Sequence, residues 1–175
     1  MNPNTTIMFY NGQTGAAGTG VLSRGHWTHR DTVTAIPAGY THAAASRDTL
    51  LFYKKGTGEW ESGTFTDGLY ARRESGNAFS ADWSHVEATA DTVLFYDENT
   101  GHAASGHLTG GVYREVRGYD DFSLGWAGIA GSADTMAFAK NVGTAICPTT
   151  SWPSARSPMA PTPTAVRSAM RSAPT

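Results

Sequence analysis

The sequence predicts an all-β chain of repeated four-stranded units, and three observations carry that prediction. First, an apolar run returns every 43 residues, at 6–10, 48–53, 91–96 and 134–138, with Phe9, Phe52, Phe95 and Phe138 in register. Second, residues 48–90 and 91–133, aligned without a gap, are identical at 16 of 43 positions. Third, the punctuation recurs: Thr14-Gly15, Thr57-Gly58 and Thr100-Gly101, then Gly20, Gly63 and Gly106, then Gly25, Gly68 and Gly111, each followed by Trp27, Tyr70 or Tyr113. Internal repetition at this scale outranks local motifs, and a period of about 40–45 residues is that of propeller blades.

The middle unit shows how each element is read. Residues 48–53 form a first strand with Leu50 and Phe52 on one face and Leu51 and Tyr53 on the other. Both faces are apolar, so both need cover. Lys54-Lys55-Gly56-Thr57-Gly58 is turn chemistry. A second strand over 59–65 ends in Thr66-Asp67-Gly68, a hairpin signal. A third over 69–74 is broken by Ser75-Gly76-Asn77. A looser fourth strand around 83–88 feeds into Asp91. The units run 5–47, 48–90 and 91–133, and a fourth begins at 134, so the repeat domain spans 5–140.

Repeats of this size also suit a β-trefoil, which is the alternative. Barrel strands keep one face inside and one outside, whereas stacked blades bury a strand on both faces. The doubly apolar Leu50-Leu51-Phe52-Tyr53 and the fourth copy favour a partial propeller of three blades plus the first strand of a fourth.

Composition bounds the function. The 175 residues include 20 Gly, 39% hydrophobic and only 16% charged residues, which suits short strands and tight turns. A net charge of -2 argues against nucleic acid as a partner. Cys147 is the lone cysteine, so no disulfide framework or multi-cysteine metal site is expected. No apolar run reaches membrane-spanning length. No signal peptide is visible at the N-terminus, so the default compartment is the cytoplasm, or outside the cell if the chain is a fragment.

Residues 141–175 differ in kind. Six of the eight prolines lie from position 148 onward among Ala, Ser and Thr, and no Asp or Glu follows Asp134. Such a segment is expected to be a disordered tail. The switch reads as a truncated array or an out-of-frame stretch, with a natural tail as the alternative. Three units and one extra strand would leave a blade face open, so self-association is expected.

The pattern Asp-Thr-Leu-Leu-Phe-Tyr, Thr-Gly, Gly, Gly-x-Tyr, Phe and Trp-x-x-Val over residues 5–140 resembles the repeat units of bacterial and fungal β-propellers. Those include the FG-GAP/VCBS-like and the tachylectin- or tectonin-like lectin groups. The resemblance implies blades and a lectin-like role. The chain lacks the acidic Asp-x-Asp-Gly calcium loops of such repeats, so no calcium site is carried over.

Among candidates for chemistry, His26 with His29 and His102 with His107 are not spaced to chelate on a strand. His42 and His85 occupy equivalent positions, which points to a structural role used twice. Asp97-Glu98-Asn99-Thr100-Gly101 is rich in oxygen ligands, yet its counterparts are not, so it reads as a plain turn. Asp48, Asp91 and Asp134 are read as local caps ahead of the first strands. No nucleophile, metal-protease, P-loop or dinucleotide motif occurs, so no catalytic residue, metal, cofactor or enzyme activity is assigned. Tyr40, Trp83 and Trp126 are read as inter-blade core.

The remaining candidate is the third strand. Trp27, Tyr70 and Tyr113, with Arg72 and Arg114 beside them, pair an aromatic platform with polar donors, which is what a sugar ring needs. The competing reading packs the aromatics inward and leaves the charges solvated. The sequence thus points to a non-catalytic, carbohydrate-binding module with a glycan as partner. The alternative is a protein-interaction or structural repeat segment that meets a protein surface.

Overall fold

A computed structural model describes residues 5–33 and 36–140. The described residues are all-β and form a partial β-propeller of separate antiparallel sheets. The expected disordered tail, 141–175, lies outside the described residues.

Sheet 1 holds β1 (Thr5–Tyr10), β2 (Ala17–Ser23) and β3 (His26–Val33) in that order. Sheet 2 holds β4 (His42–Ala45), β5 (Thr49–Lys54), β6 (Glu59–Thr66) and β7 (Leu69–Gly76). Sheet 3 holds β8 (His85–Ala88), β9 (Thr92–Tyr96), β10 (Ala103–Thr109) and β11 (Val112–Tyr119). A hairpin of β12 (Gly128–Ser132) and β13 (Thr135–Ala139) follows.

The phase of the sheets differs from the phase of the sequence units. The strand expected to close the middle unit, β8, pairs with β9 of the next unit, with Val86 opposite Phe95. The turn chemistry explains this. Thr89 N donates to Thr92 O at 2.8 Å, and Ser46 N to Thr49 O at 2.9 Å, so each short strand folds tightly onto the strand after it. The innermost strands are therefore β4, β8 and β12, which pack side by side, and not the runs at 49–53 and 92–96. A backbone spine joins their ends: Arg47 N donates to Ala90 O at 2.9 Å and Ala90 N to Ala133 O at 2.7 Å.

The apolar first strands are covered on both faces, as the sequence requires. Leu50 and Phe52 pack with Met8, Tyr10, Ala17 and Tyr40 between sheets 1 and 2. Leu51 and Tyr53 meet Val93 and Phe95 between sheets 2 and 3. Leu94 and Tyr96 meet Ile129, Met136 and Phe138 of the hairpin. Trp83 and Trp126 pack at these seams, as does Tyr40. Such stacking of sheets through three seams sets aside the trefoil alternative.

Repetition extends to polar detail. Tyr10, Tyr53 and Tyr96 donate their hydroxyls to the carbonyls of Pro37, Ser80 and Ser123 at 2.6, 2.8 and 2.8 Å. The Thr-Gly pairs owe their recurrence to space and conformation. Gly58 has φ 73° and Gly101 φ 76°, and a Cβ there would sit 2.1 and 2.3 Å from the carbonyl oxygens of Phe79 and Phe122. Only glycine fits a left-handed turn with that little room. Asp67 and Gly68, both at positive φ, make the expected two-residue hairpin turn.

Cross-sheet bonds use the same turns. Thr19 Oγ1 donates to Gly68 O, and Ser62 Oγ donates to Gly111 O at 2.8 Å. In return Gly111 N donates to Thr49 Oγ1 at 2.8 Å, and Gly110 N to the Asp48 carboxylate at 3.1 Å. Asp48 thus does more than cap its own strand. Asp91 and Asp134 keep the local role, each accepting from the following threonine at 3.1 Å.

Candidate functional site

The expected site residues do not form one exposed strip. Trp27 is 42% exposed and meets Phe9 edge-on at 5.5 Å. Tyr70 is half-buried and meets Phe52 in the same way at 5.9 Å. Tyr113 is only 8% exposed, boxed by Phe79, Phe95 and Trp60. The three aromatics are equivalent, and each packs on the phenylalanine of its own first strand. Their surroundings differ because sheets 2 and 3 are covered by the sheet before them.

The arginines are engaged with protein. Arg114 Nη1 and Nη2 reach the Glu74 carboxylate at 3.2 Å across the seam between sheets 3 and 2. Arg72 donates to Ser75 Oγ at 2.6 Å, and its Nε lies 3.9 Å from Glu61.

Glu61 is the residue that the sequence reading missed. It is 1% exposed, in the middle of β6, at the seam with sheet 1. Tyr70 donates to its Oε1 at 2.9 Å and Tyr40 to its Oε2 at 3.4 Å. Burial raises the carboxyl's pKa and outweighs the lowering by the Tyr70 hydrogen bond, the Arg72 charge and the Tyr40 hydrogen bond. Burial also pushes both tyrosines well above the usual phenol range, with the Glu61 charge adding to it. A signal was present: the equivalent positions hold Gly18 and Ala104, so one charge stands where its counterparts are small and uncharged.

The other candidates resolve as structural. The Asp97 carboxylate is 5% exposed and accepts from Thr100 Oγ1 at 2.6 Å, Asn99 N at 3.0 Å and Ser84 Oγ at 3.4 Å. That is a closed turn, and among the described residues no group of three or more His, Cys, Asp or Glu is placed to hold a metal. His42 and His85 lie beside Tyr53 and Tyr96 at 5.6 and 5.9 Å, but their polar partners differ: His42 Nε2 meets the Ser84 carbonyl at 3.0 Å, whereas His85 Nε2 has no hydrogen-bond partner among the described residues. No helix of the described residues is long and apolar enough to cross a membrane.

What remains open is the face of sheet 1 that points away from sheet 2. Phe9 is 62% exposed, whereas its equivalents Phe52 and Phe95 are each 1% exposed. Leu22 is 37% exposed against 7% for Phe65 and 0% for Leu108. With Ile7 and Trp27 they make an apolar patch that is core in the other two sheets.

No family model matches the chain, and no curated protein sequence matches it. Among solved structures it is similar to a 6-phosphogluconolactonase candidate from Bacteroides fragilis, at 9% identity and a TM-score of 0.49. The match covers 67% of this chain and spans 39% of that one. The expected lectin-like, carbohydrate-binding function is corrected. Here the repeated aromatic platform is taken up by packing, each ring set against the phenylalanine of its own first strand. A sugar stacks on an exposed ring face, and the Tyr113 ring is enclosed.

Proposed function

We propose that the chain is an assembly scaffold in which the open face of sheet 1 docks against the same face of a second copy. The observation supporting this is the contrast at equivalent positions: Phe9 at 62% exposure against Phe52 and Phe95 at 1%. The same side chains, in the same edge-on pairs, are buried by a neighbouring sheet wherever the chain supplies one. An exposed apolar patch of this kind marks an interaction surface.

Like-with-like pairing is favoured over head-to-tail stacking by what the hairpin offers. Its outward positions hold Ala137 and Ala139, where the covering strands have Leu51 and Tyr53 or Leu94 and Tyr96. Two Phe9 faces bury more apolar surface against each other than one buries against two alanines. Pairing through one self-complementary patch closes at a dimer. The chain is assigned no reaction of its own.

Sedimentation velocity across a concentration series tests it. The expected result is a monomer–dimer equilibrium with a Kd of about 10 µM or tighter, lost in the Phe9→Ser, Trp27→Ser double variant while the thermal transition persists. A wild-type monomer throughout, or a double variant that still dimerises, overturns the proposal.

A further inference from the structure

The seam between sheets 2 and 3 keeps the aromatic frame of the seam between sheets 1 and 2 and inverts its charges. In the first seam Phe52 stands opposite Glu61, whose carboxylate takes the Tyr70 and Tyr40 hydroxyls and lies 3.9 Å from Arg72. In the second seam Phe95 stands opposite Ala104. Tyr113 and Trp83 replace Tyr70 and Tyr40 there, Phe79 replaces Ile36, and Glu115 replaces Arg72. The buried acid has become a methyl group, and the cation beside it has become an acid.

The exchange leaves a cleft of about 70 Å³ lined by Phe79, Trp83, Phe95, Ala104, Tyr113 and Glu115. A water molecule takes roughly 30 Å³ in the liquid, so the cleft suits a head group of a few heavy atoms and not a sugar ring. Phe79, Phe95 and Tyr113 meet pairwise at interplanar angles of 75°, 71° and 80°, with centroids 5.0, 5.1 and 5.5 Å apart. Trp83 adds a fourth ring, 5.9 Å from Phe95. Phe95 and Tyr113 are buried, Phe79 and Trp83 are half-buried, and Glu115 is exposed. Tyr113 and Glu115 lie two apart on β11 and share a face. The Glu115 charge adds to burial in raising the Tyr113 phenol above its usual range.

We infer that this cleft binds a methylated ammonium group. Aromatic rings attract a cation through the negative charge of their faces, most strongly where water is excluded. Glu115 supplies the opposite charge, and among the described residues it is the one charged side chain in the lining. A bare ammonium is strongly hydrated and carries three donors that one carboxylate cannot satisfy. Methyl groups need no acceptor and fit an aromatic wall. Both flanking sheets carry four strands, and the cleft is independent of the open Phe9 face.

Choline is the probe, titrated into the full chain and followed by NMR at the Trp83 indole N–H and the Ala104 methyl. The expected result is a saturable shift with a Kd of about 1 mM or tighter. The neutral carbon isostere, with tert-butyl in place of trimethylammonium, should bind at least about tenfold more weakly. Ala104→Glu restores the acid that fills the first seam and should abolish binding. Should that variant fold poorly, Glu115→Gln decides, because its side chain is exposed and its shape is kept; affinity should fall at least about fivefold. A peptide carrying trimethyl-lysine offers the same head group on a polypeptide. Tighter binding of that peptide than of choline assigns the ligand to a modified protein, and weaker binding assigns it to a free small molecule. No saturable shift below about 10 mM, equal binding of the neutral isostere, or full affinity in Glu115→Gln overturns the inference.

Discussion

The Tyr70 hydroxyl donates to the Glu61 carboxylate at 2.9 Å, and the acid it meets is 1% exposed. A carboxylate in that setting is a liability when charged, because its desolvation is only partly offset by two hydroxyls and a distant guanidinium.

The sign of its pH dependence follows. Burial raises the folded-state pKa of Glu61 above its ordinary value of 4.5. The folded chain therefore holds a proton at pH values where the unfolded chain has lost it. Across that window stability falls as pH rises. Glu61→Gln keeps an acceptor for the tyrosines and removes the charge. Its melting temperature relative to wild type should climb as pH rises through the window and then level off. Parallel pH profiles for the two proteins would sink this account.

Asp97 predicts the opposite limb. Burial raises its pKa, but hydrogen bonds from Thr100, Asn99 and Ser84 together outweigh burial and hold it below the ordinary 3.8. Its contribution is present above that value and lost as pH falls through the lowered folded pKa. Asp97→Ala leaves the Thr100 hydroxyl and Asn99 amide without their acceptor and should cost about 1–3 kcal/mol at neutral pH. Calcium or a chelator should leave the wild-type melting temperature unchanged, because the carboxylate is already saturated by donors. Thermal scans at neutral and acid pH, with and without calcium, check both statements.

What the sequence disclosed and what it hid divide along a physical line. The strands at 49–54 and 92–96, their doubly buried faces and the Asp67-Gly68 turn follow from local chemistry, which a single chain displays. The phase of the sheets does not, because β8 could close the sheet before it or open the one after it. The tight turn between Thr89 and Thr92 decides that, and its strength is seen only once its hydrogen bond is. Tyr70 and Tyr113 resemble a surface strip because alternation along β7 and β11 says nothing of the neighbouring sheet that covers them. Glu61 is easily passed over because an acid in a strand is usually solvated. Comparison with Gly18 and Ala104 at the equivalent positions sets it apart.

Gly58 offers a test of the repeated turn. Its φ is 73°, and the Phe79 oxygen lies 2.1 Å from where a Cβ would stand, which leaves no room for a side chain. Gly58→Ala should cost more than the roughly 1–3 kcal/mol of left-handed strain alone, because the Phe79 carbonyl must also move. Gly56, at φ 90° with open space around it, should show the strain without the clash. Chemical denaturation of both variants distinguishes them; equal losses would mean that backbone strain is the whole effect.

The last prediction sets two equivalent phenylalanines against each other. Phe52 and Phe9 sit at the same repeat position, in β5 and β1, and each packs edge-on against the third-strand aromatic of its own sheet. Phe52 is 1% exposed and also touches Tyr10 and Tyr40 from the preceding unit, with ring centroids 5.1 and 5.8 Å away. Phe9, at 62% exposure, has no such cover among the described residues. Phe52→Ala leaves a cavity between two sheets and should cost about 3–5 kcal/mol. Phe9→Ala removes a ring that water already reaches and should cost less than about 1 kcal/mol in dilute solution. Denaturation of the two variants should be repeated at high protein concentration. If sheet 1 is covered by a second copy, the Phe9→Ala loss must grow with concentration while the Phe52→Ala loss holds steady, because only the first residue's burial depends on a partner.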